Sequence, residues 1–559
     1  MRKNKMKKEI RRFFLVGLAL LLVSIPSFSQ PKKEPLTVAE ASEFTATSRY
    51  ADVIEFIRNL QKQSSMIRVE TICQSAEGRT VPLLVIGNPA PTSPLDLHRS
   101  GKAAVYIQAN IHAGEVEGKE ASLMLTRDIL LSETPPYLDK LVILIAPIFN
   151  ADGNEKISPE NRRNQVGPEK GVGVRYNGQN LDLNRDSMKL ESPELRGLVQ
   201  NVLLRWDPVL LVDCHTTNGS YHEEPVTYSW PLNPNGDSSI IHYTRDRMLP
   251  SIKENLREKY NILSIPYGNF LDFNEPEKGW TTFSHLPRYV INYMGVRNRL
   301  AILDENYAYA DYKTRVLACY NFLRSILDYC TNHKEEIVHL VAEADQKTTE
   351  RGLNPSGEDT FAVEVDLKPL EEKITIQGWE MEVIPREEGW PLIKKTEKKR
   401  TYTLPYFAQF IPKRSIPLPY AYLIPCSDST LTDILLAHGL TVERLTESAM
   451  LEVESFRVGE IKGASRLYQG HYLNEVKGEY KTEEREFLPG TILIPTAQPL
   501  GRLASCLLEA ESDDGLLVWN FFDRYLVSQW GRQPQVYPVY RLLKTIYLAK
   551  EKVERNTKE

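Results

Sequence analysis

Four near-continuous apolar runs, at residues 103–110, 141–148, 209–214 and 299–304, constrain this chain more than any other feature. A strand that is apolar at successive positions is buried on both faces, so helices must cover both sides of its sheet. Helical stretches lie between or after these runs, at 118–131, 193–206 and 313–332, with Ser192 and Pro193 suited to the N-cap and first helical position of the second. An amphipathic helix at 48–63 and strands at 68–73 and 80–86 precede them. The alternation predicts an α/β fold, with a mixed, mostly parallel sheet and helices on both faces.

Each run ends on chemistry. In open sheets of this class, ligands bind beyond the carboxyl ends of the strands. The first run leads to His112 and Glu115, and the second to Asn150-Ala-Asp-Gly153. The third ends on His215, and the fourth on Asp304 and Glu305. A single histidine at a strand end is ordinarily a core residue, but here two histidines and several carboxylates arrive at successive strand ends. His112, Glu115 and His215 form a ligand set that suits zinc and leaves a coordination position open, whereas a structural site closes with a fourth ligand, usually cysteine. The pattern points to hydrolytic metal chemistry. The six cysteines (73, 214, 319, 330, 426, 506) are too widely spaced for a disulfide scaffold or a cysteine-based zinc site, and read mostly as buried thiols.

The first thirty residues stand apart. Seven Lys/Arg within residues 1–12, an apolar stretch at 13–25 and small residues at Ser27 and Ser29 describe a signal peptide over 1–29, cleaved near Ser29–Gln30. The apolar stretch is short for a bilayer span, and no cysteine at the junction supplies a lipid anchor. Secretion or a periplasmic location is expected, with no membrane attachment after cleavage. Losing seven positive charges and Glu9 moves the net charge from −5 to about −11, a poor balance for nucleic-acid binding, which needs clustered Lys/Arg. The basic run at 394–400 reads as a solvated loop.

The ordered set of motifs resembles the zinc metallocarboxypeptidases of the carboxypeptidase A type, over roughly residues 50–330. His112-x-x-Glu115 looks like that family's paired ligand motif, and His215, within Asp-Cys-His-Thr-Thr, like its third ligand. Asn150-Ala-Asp-Gly153 is similar to its Asn-Pro-Asp-Gly segment, and Leu181-Asp-Leu-Asn-Arg185 to the block whose Asn-Arg pair grips a substrate carboxylate. The segment from Arg299 to Glu305 resembles the strand bearing the catalytic glutamate. The resemblance implies one zinc ion, Glu305 as general base and acid, and Asn184 and Arg185 as anchors for a peptide's free carboxylate. It also implies that Asp182 orients a zinc-bound imidazole. Because neighbouring strand residues face opposite ways, only one of Asp304 and Glu305 reaches the metal, and the motif favours Glu305. Glu117 and Glu120 read as solvated acids at a helix start, and His222 as an exposed loop residue.

The resemblance has two gaps. The family's oxyanion arginine, counted from the Asn161-Arg162 pair, falls on Gln165, with Arg162 or Arg163 as possible substitutes. Its mobile tyrosine has candidates in Tyr289 and Tyr293, neither assigned. Residues 30–350 are expected to form the catalytic domain and 357–559 an accessory domain of mixed α and β. Strands are expected at 419–425, 440–445 and 490–495 there, and helices at 428–438 and 500–511. The reading is an exported zinc peptidase acting at carboxyl termini. Two alternatives stand beside it: a zinc amidase or peptidase for cell-wall peptides, and a non-catalytic peptide-binding relative.

Overall fold

The computed structural model describes residues 34–217, 219–386, 391–526 and 535–554. The apolar runs become the middle of an eight-stranded sheet. Its strands are β1 (Ile67–Gln74), β2 (Thr80–Ile86), β3 (Ala103–Ala109), β4 (Leu141–Ala146), β5 (Leu210–Thr217), β6 (Val226–Ser229), β7 (Ser264–Pro266) and β8 (Leu300–Tyr307). They lie in the order β1-β2-β4-β3-β5-β8-β6-β7. The central four, β4, β3, β5 and β8, are mutually parallel. Antiparallel pairings flank them, β2 with β4 and β6 with β8. Every residue of β3, β4 and β5 is buried, as strands covered on both sides require.

Helices α1 (Tyr50–Gln63), α2 (Glu117–Leu131), α3 (Leu249–Tyr260), α4 (Val290–Val296), α5 (Tyr312–Asn332) and α6 (Lys334–Leu353) pack around this sheet. On one face, Gly118 of α2 lies against Cys214 of β5, and Cys319 of α5 donates to Asp304 of β8. The fold class read from the sequence, α/β with a mixed, mostly parallel sheet, is the one adopted. The stretch expected as one helix at 193–206 is α-helical at Pro193–Gly197 and Leu204–Trp206, with a π-helical segment at Leu198–Leu203 between them.

The second half builds a seven-stranded, wholly antiparallel sheet centred on Ala421–Ile424, Ile492–Pro495 and Gln535–Leu542. Helices Ser429–Ala437 and Gly501–Leu508 accompany it. A long hairpin, Ala449–Gly463 with Asn474–Phe487, extends the sheet at one edge. The basic run at 394–400 is not a loop but part of strand Leu392–Leu404, paired with Ile374–Ile384. Its charges are solvated, so the ribbon holds them at no desolvation cost.

Strand Trp280–Thr281 from the first half pairs with Tyr406–Pro417 from the second, and Thr37–Glu559 form one compact unit. Of Met1–Leu36, which is a separate unit, only residues 34–36 are described. The expected signal peptide at 1–29 therefore lies outside the described residues. Among the described residues, no helix is long and apolar enough to cross a membrane. All six cysteines are free thiols, four of them buried.

Candidate metal centre

Strand register assembles the site. His215 on β5 stands directly beside Glu305 on β8, and Cys214 beside Asp304. Side chains paired this way share a face, and the next residue along points the other way. His215 and Glu305 therefore reach one side, where they line a common cavity. Asp304 goes to the opposite side and is buried against Cys319 at 3.1 Å. The first pair of candidate ligands comes from the turn after β3. Asn110 takes the left-handed conformation (φ 67°), and its side-chain amide donates to the carbonyls of Ala113 (3.3 Å) and Glu115 (3.2 Å). That turn swings His112 and Glu115 across the strand ends before α2 begins.

The three side chains share one focus. His112 Nδ1 and His215 Nδ1 are 3.1 Å apart. Glu115 reaches both, with Oε1 3.2 Å from His112 Nδ1 and Oε2 2.9 Å from His215 Nδ1. On their far sides both rings are held by carboxylates: His112 Nε2 is 2.9 Å from Asp182 Oδ1, and His215 Nε2 is 2.8 Å from Asp213 Oδ2. A carboxylate at Nε2 favours a proton there, so that each ring in its neutral form offers the Nδ1 lone pair to a cation. Two lone pairs facing each other at this distance repel unless a cation lies between them. Zinc bonds of about 2.0–2.1 Å at a tetrahedral angle put two nitrogens about 3.3 Å apart, so the donor set fits zinc.

The surrounding charge is arranged to match. Burial works against ionisation of Glu115, but His112 and Arg162 hold its carboxyl well below the ordinary range. Likewise, burial opposes ionisation of Asp182, and His112 and Arg175 outweigh it. Burial also disfavours a charged His215, yet Asp213 and Glu115 raise its pKa overall. Glu305 is different. Burial pushes it up to about 8, and although His215 and Arg162 pull it down, the nearby Glu115 and Asp304 carboxylates add to the rise.

A cavity of about 260 Å³ opens over this focus, lined among others by Glu305, Arg162, Arg175, Arg185 and Tyr289. Arg185 stacks on the Tyr289 ring, its guanidinium carbon 4.1 Å from the centroid. The neighbouring acids do not claim it. Asp186 takes Lys189 and Ser192, and Glu191 takes Lys189 and His471. Asn184 is nearly buried, its amide nitrogen 3.3 Å from His215 Nε2 and its oxygen accepting the Val290 N–H at 2.9 Å.

The family described as zinc carboxypeptidase matches residues 53–197. That segment is similar to the zinc carboxypeptidase family. The resemblance drawn from the motifs holds, and with it the enzyme class, a zinc metallocarboxypeptidase. Carboxypeptidase 2 of Trichophyton rubrum is 22% identical over 496 residues, covering 84% of each chain. Carboxypeptidase 2 of Trichophyton equinum is 23% identical over 543 residues, 92% of this chain and 90% of its own. Cytosolic carboxypeptidase 2 of Homo sapiens is 33% identical over 100 residues, 17% of this chain and 11% of its own. Among solved structures, carboxypeptidase A from Helicoverpa armigera covers 54% of this chain and 75% of its own, at 16% identity and a TM-score of 0.39.

Several residues differ from their reading in the sequence. Glu117 is not solvated: it is fully buried and bonded to Arg315 and Thr216. Glu120 is buried too, accepting from Thr47 (2.9 Å) and from the Ser48 backbone (2.7 Å). A helix start packed under a sheet cannot expose its first turn. His222 is buried rather than exposed, its ring 4.0 Å from that of Tyr307. At the oxyanion position, Arg162 enters the cavity and donates through Nε to Gln165 (2.8 Å), while exposed Arg163 pairs with Glu160. Of the two tyrosines, Tyr289 lines the cavity, and Tyr293 is buried against His438. Asp213, Arg175 and Tyr267 were not anticipated. Asp213 had a legible signal, since a residue two before His215 on a strand shares its face.

Proposed function

We propose that this protein is an exported zinc metallopeptidase that removes residues from free carboxyl termini. His112, Glu115 and His215 hold one zinc ion, which when bound supplies Lewis acidity for a carbonyl and makes a water more acidic. Glu305 takes the proton of the attacking water and hands it to the leaving amine. Its supports are its place beside His215, its share in lining the cavity, and a carboxyl environment that brings it within reach of neutral pH. Asp182 orients His112. Arg185 forms a two-pronged clamp on the terminal carboxylate, with Tyr289 beneath it and Asn184 beside it. Arg162 takes the role that Gln165 cannot fill, donating to the developing oxyanion. In the same reading, residues 1–29 direct export to the periplasm or exterior, 30–350 carry catalysis and 357–559 form the accessory part.

One observation carries this reading: two imidazole Nδ1 atoms face each other 3.1 Å apart beside a carboxylate. The test begins with metal analysis of the protein from Gln30 onward, with one zinc per chain expected. A peptide with a free carboxyl end should be cut, its C-terminal amide poorly, and a cell-wall muropeptide serves as the third substrate. Preference for the muropeptide would transfer the reading to cell-wall chemistry. Glu305→Gln should keep zinc and lower kcat by about 10²–10⁴-fold. Absence of zinc, or full activity in that variant, contradicts the proposal.

A further inference from the structure

The turn at residues 468–471 carries a side chain to the metal centre from the far half of the chain. Tyr468 and His471 exchange backbone hydrogen bonds of 2.8 and 3.0 Å. The two residues between them, Gln469 and Gly470, both have positive φ, 51° and 84°. Two such residues in succession make a type I′ turn, which favours Asn, Asp and Gly. Glutamine gains nothing there from its own backbone. A residue kept in this region persists because its surroundings hold it, and it is a pointer to function.

The surroundings hold this turn firmly. His471 Nε2 is 2.9 Å from Glu191 Oε1, and its Nδ1 is 3.2 Å from Asn520 Oδ1. Beside it, the Arg288 guanidinium lies 5.4 Å from the centre of the Tyr468 ring, and Arg288 is itself fixed by Asp514. From this anchored tip, Gln469 Oε1 accepts the backbone N–H of Asp182 at 2.8 Å. The carboxylate of Asp182 meanwhile contacts His112 Nε2 (2.9 Å), the Asn184 N–H (3.0 Å) and Arg175 Nε (2.8 Å).

The geometry points to Gln469 as a positioning residue of the metal centre. It pins the backbone at Asp182, and Asp182 sets the rotation of His112, so that Nδ1 faces the ion. The inference rests on the zinc site proposed above. It makes the C-terminal half a working part of that site.

The test uses the full mature protein and two variants, Gln469→Gly and Gln469→Glu. Zinc affinity is read by competition with a chromophoric chelator, and fold stability by thermal unfolding of the metal-free protein. Glycine accepts the backbone angles freely, so Gln469→Gly should keep or raise the unfolding midpoint. Its zinc Kd should rise tenfold or more, the scale of losing a residue that orients a metal ligand. Gln469→Glu retains the acceptor oxygen and should stay within about threefold of the parent. A shifted midpoint with unchanged zinc affinity in Gln469→Gly would overturn the inference, as would a Gln469→Glu variant as weak as the glycine one. A parent that binds no zinc would instead defeat the proposed function, and this inference with it.

Discussion

In the proposed function, Arg185 decides whether the cleft reads a chain end. Its guanidinium lines the cavity, stacked on Tyr289 and left free by the acids that follow it in sequence. A planar fork can meet both oxygens of a carboxylate, which an ammonium cannot copy. Charge-assisted hydrogen bonds of this kind are worth about 1.5–3 kcal/mol. Arg185→Lys should therefore raise KM for free-carboxylate peptides by about 10–100-fold, while slow cleavage of the C-terminal amide stays as it was. Steady-state kinetics on the matched pair checks this, and equal losses on both substrates would remove Arg185 from the clamp. The second choice made at this scale is between Asp304 and Glu305. Adjacent in sequence, they are separated by the sheet itself. Asp304 is buried and pushed up to about 7, chiefly by burial, and Glu305 lines the cavity.

At the scale of elements, one close fit bears on the site, that of α2 against the sheet. A Cβ built on Gly118 would overlap the Cys214 Cβ and meet the Ala109 Cβ at 3.2 Å. Both neighbours are fixed to strand backbone, so neither can move aside. Glycine is needed here for closeness, because α2 starts just after Glu115 and its seating sets where that ligand stands. Gly118→Ala should cost about 1–3 kcal/mol through overpacking, seen as a thermal midpoint lowered by about 1–3 °C. Zinc affinity should weaken alongside, since the strain falls between both ligand-bearing segments. An unchanged midpoint would show that α2 can lift from the sheet freely.

For the whole molecule, the join between the two halves carries a pH dependence. His438, fully buried at the end of helix Ser429–Ala437, lies with Nδ1 2.7 Å from Tyr293 Oη and Nε2 3.1 Å from the Met188 carbonyl. This is a neutral ring, accepting from the tyrosine and donating to the carbonyl. Burial lowers its pKa to about 3; the Met188 bond pulls the other way, and the Arg297 charge adds to the lowering. The unfolded chain, with its histidine near 6.5, takes up a proton first as pH falls. The sign follows: this contribution is fully present above about pH 6.5 and is lost progressively towards pH 3. On the order of 3 kcal/mol should be gone by pH 4. Thermal midpoints of the parent measured across that window should fall more steeply than those of His438→Gln. Parallel curves would mean that the ring is protonated in the fold.

Much of this protein was legible in residue order alone. Unbroken apolar runs demand two covered faces, which specifies the α/β class, and strand ends carrying His112, Glu115, His215 and Glu305 point to the metal chemistry proposed above. Both signals are local, because strand period and burial act within a few residues of each other. What the order of residues could not disclose depends on contacts across long separations. Glu117, Glu120 and His222 looked solvated because nothing nearby in sequence covers them, and Arg315, Ser48 and Tyr307 do so only after folding. That Arg162 rather than Gln165 lines the cavity depended on which loop residue turns inward. The contact from Gln469 to Asp182 spans 287 positions, and no periodicity reports such a pair. Chemistry and class were written in short-range pattern; the protonation, burial and bracing of the site were decided by the tertiary structure, since desolvation and hydrogen bonding follow proximity in space.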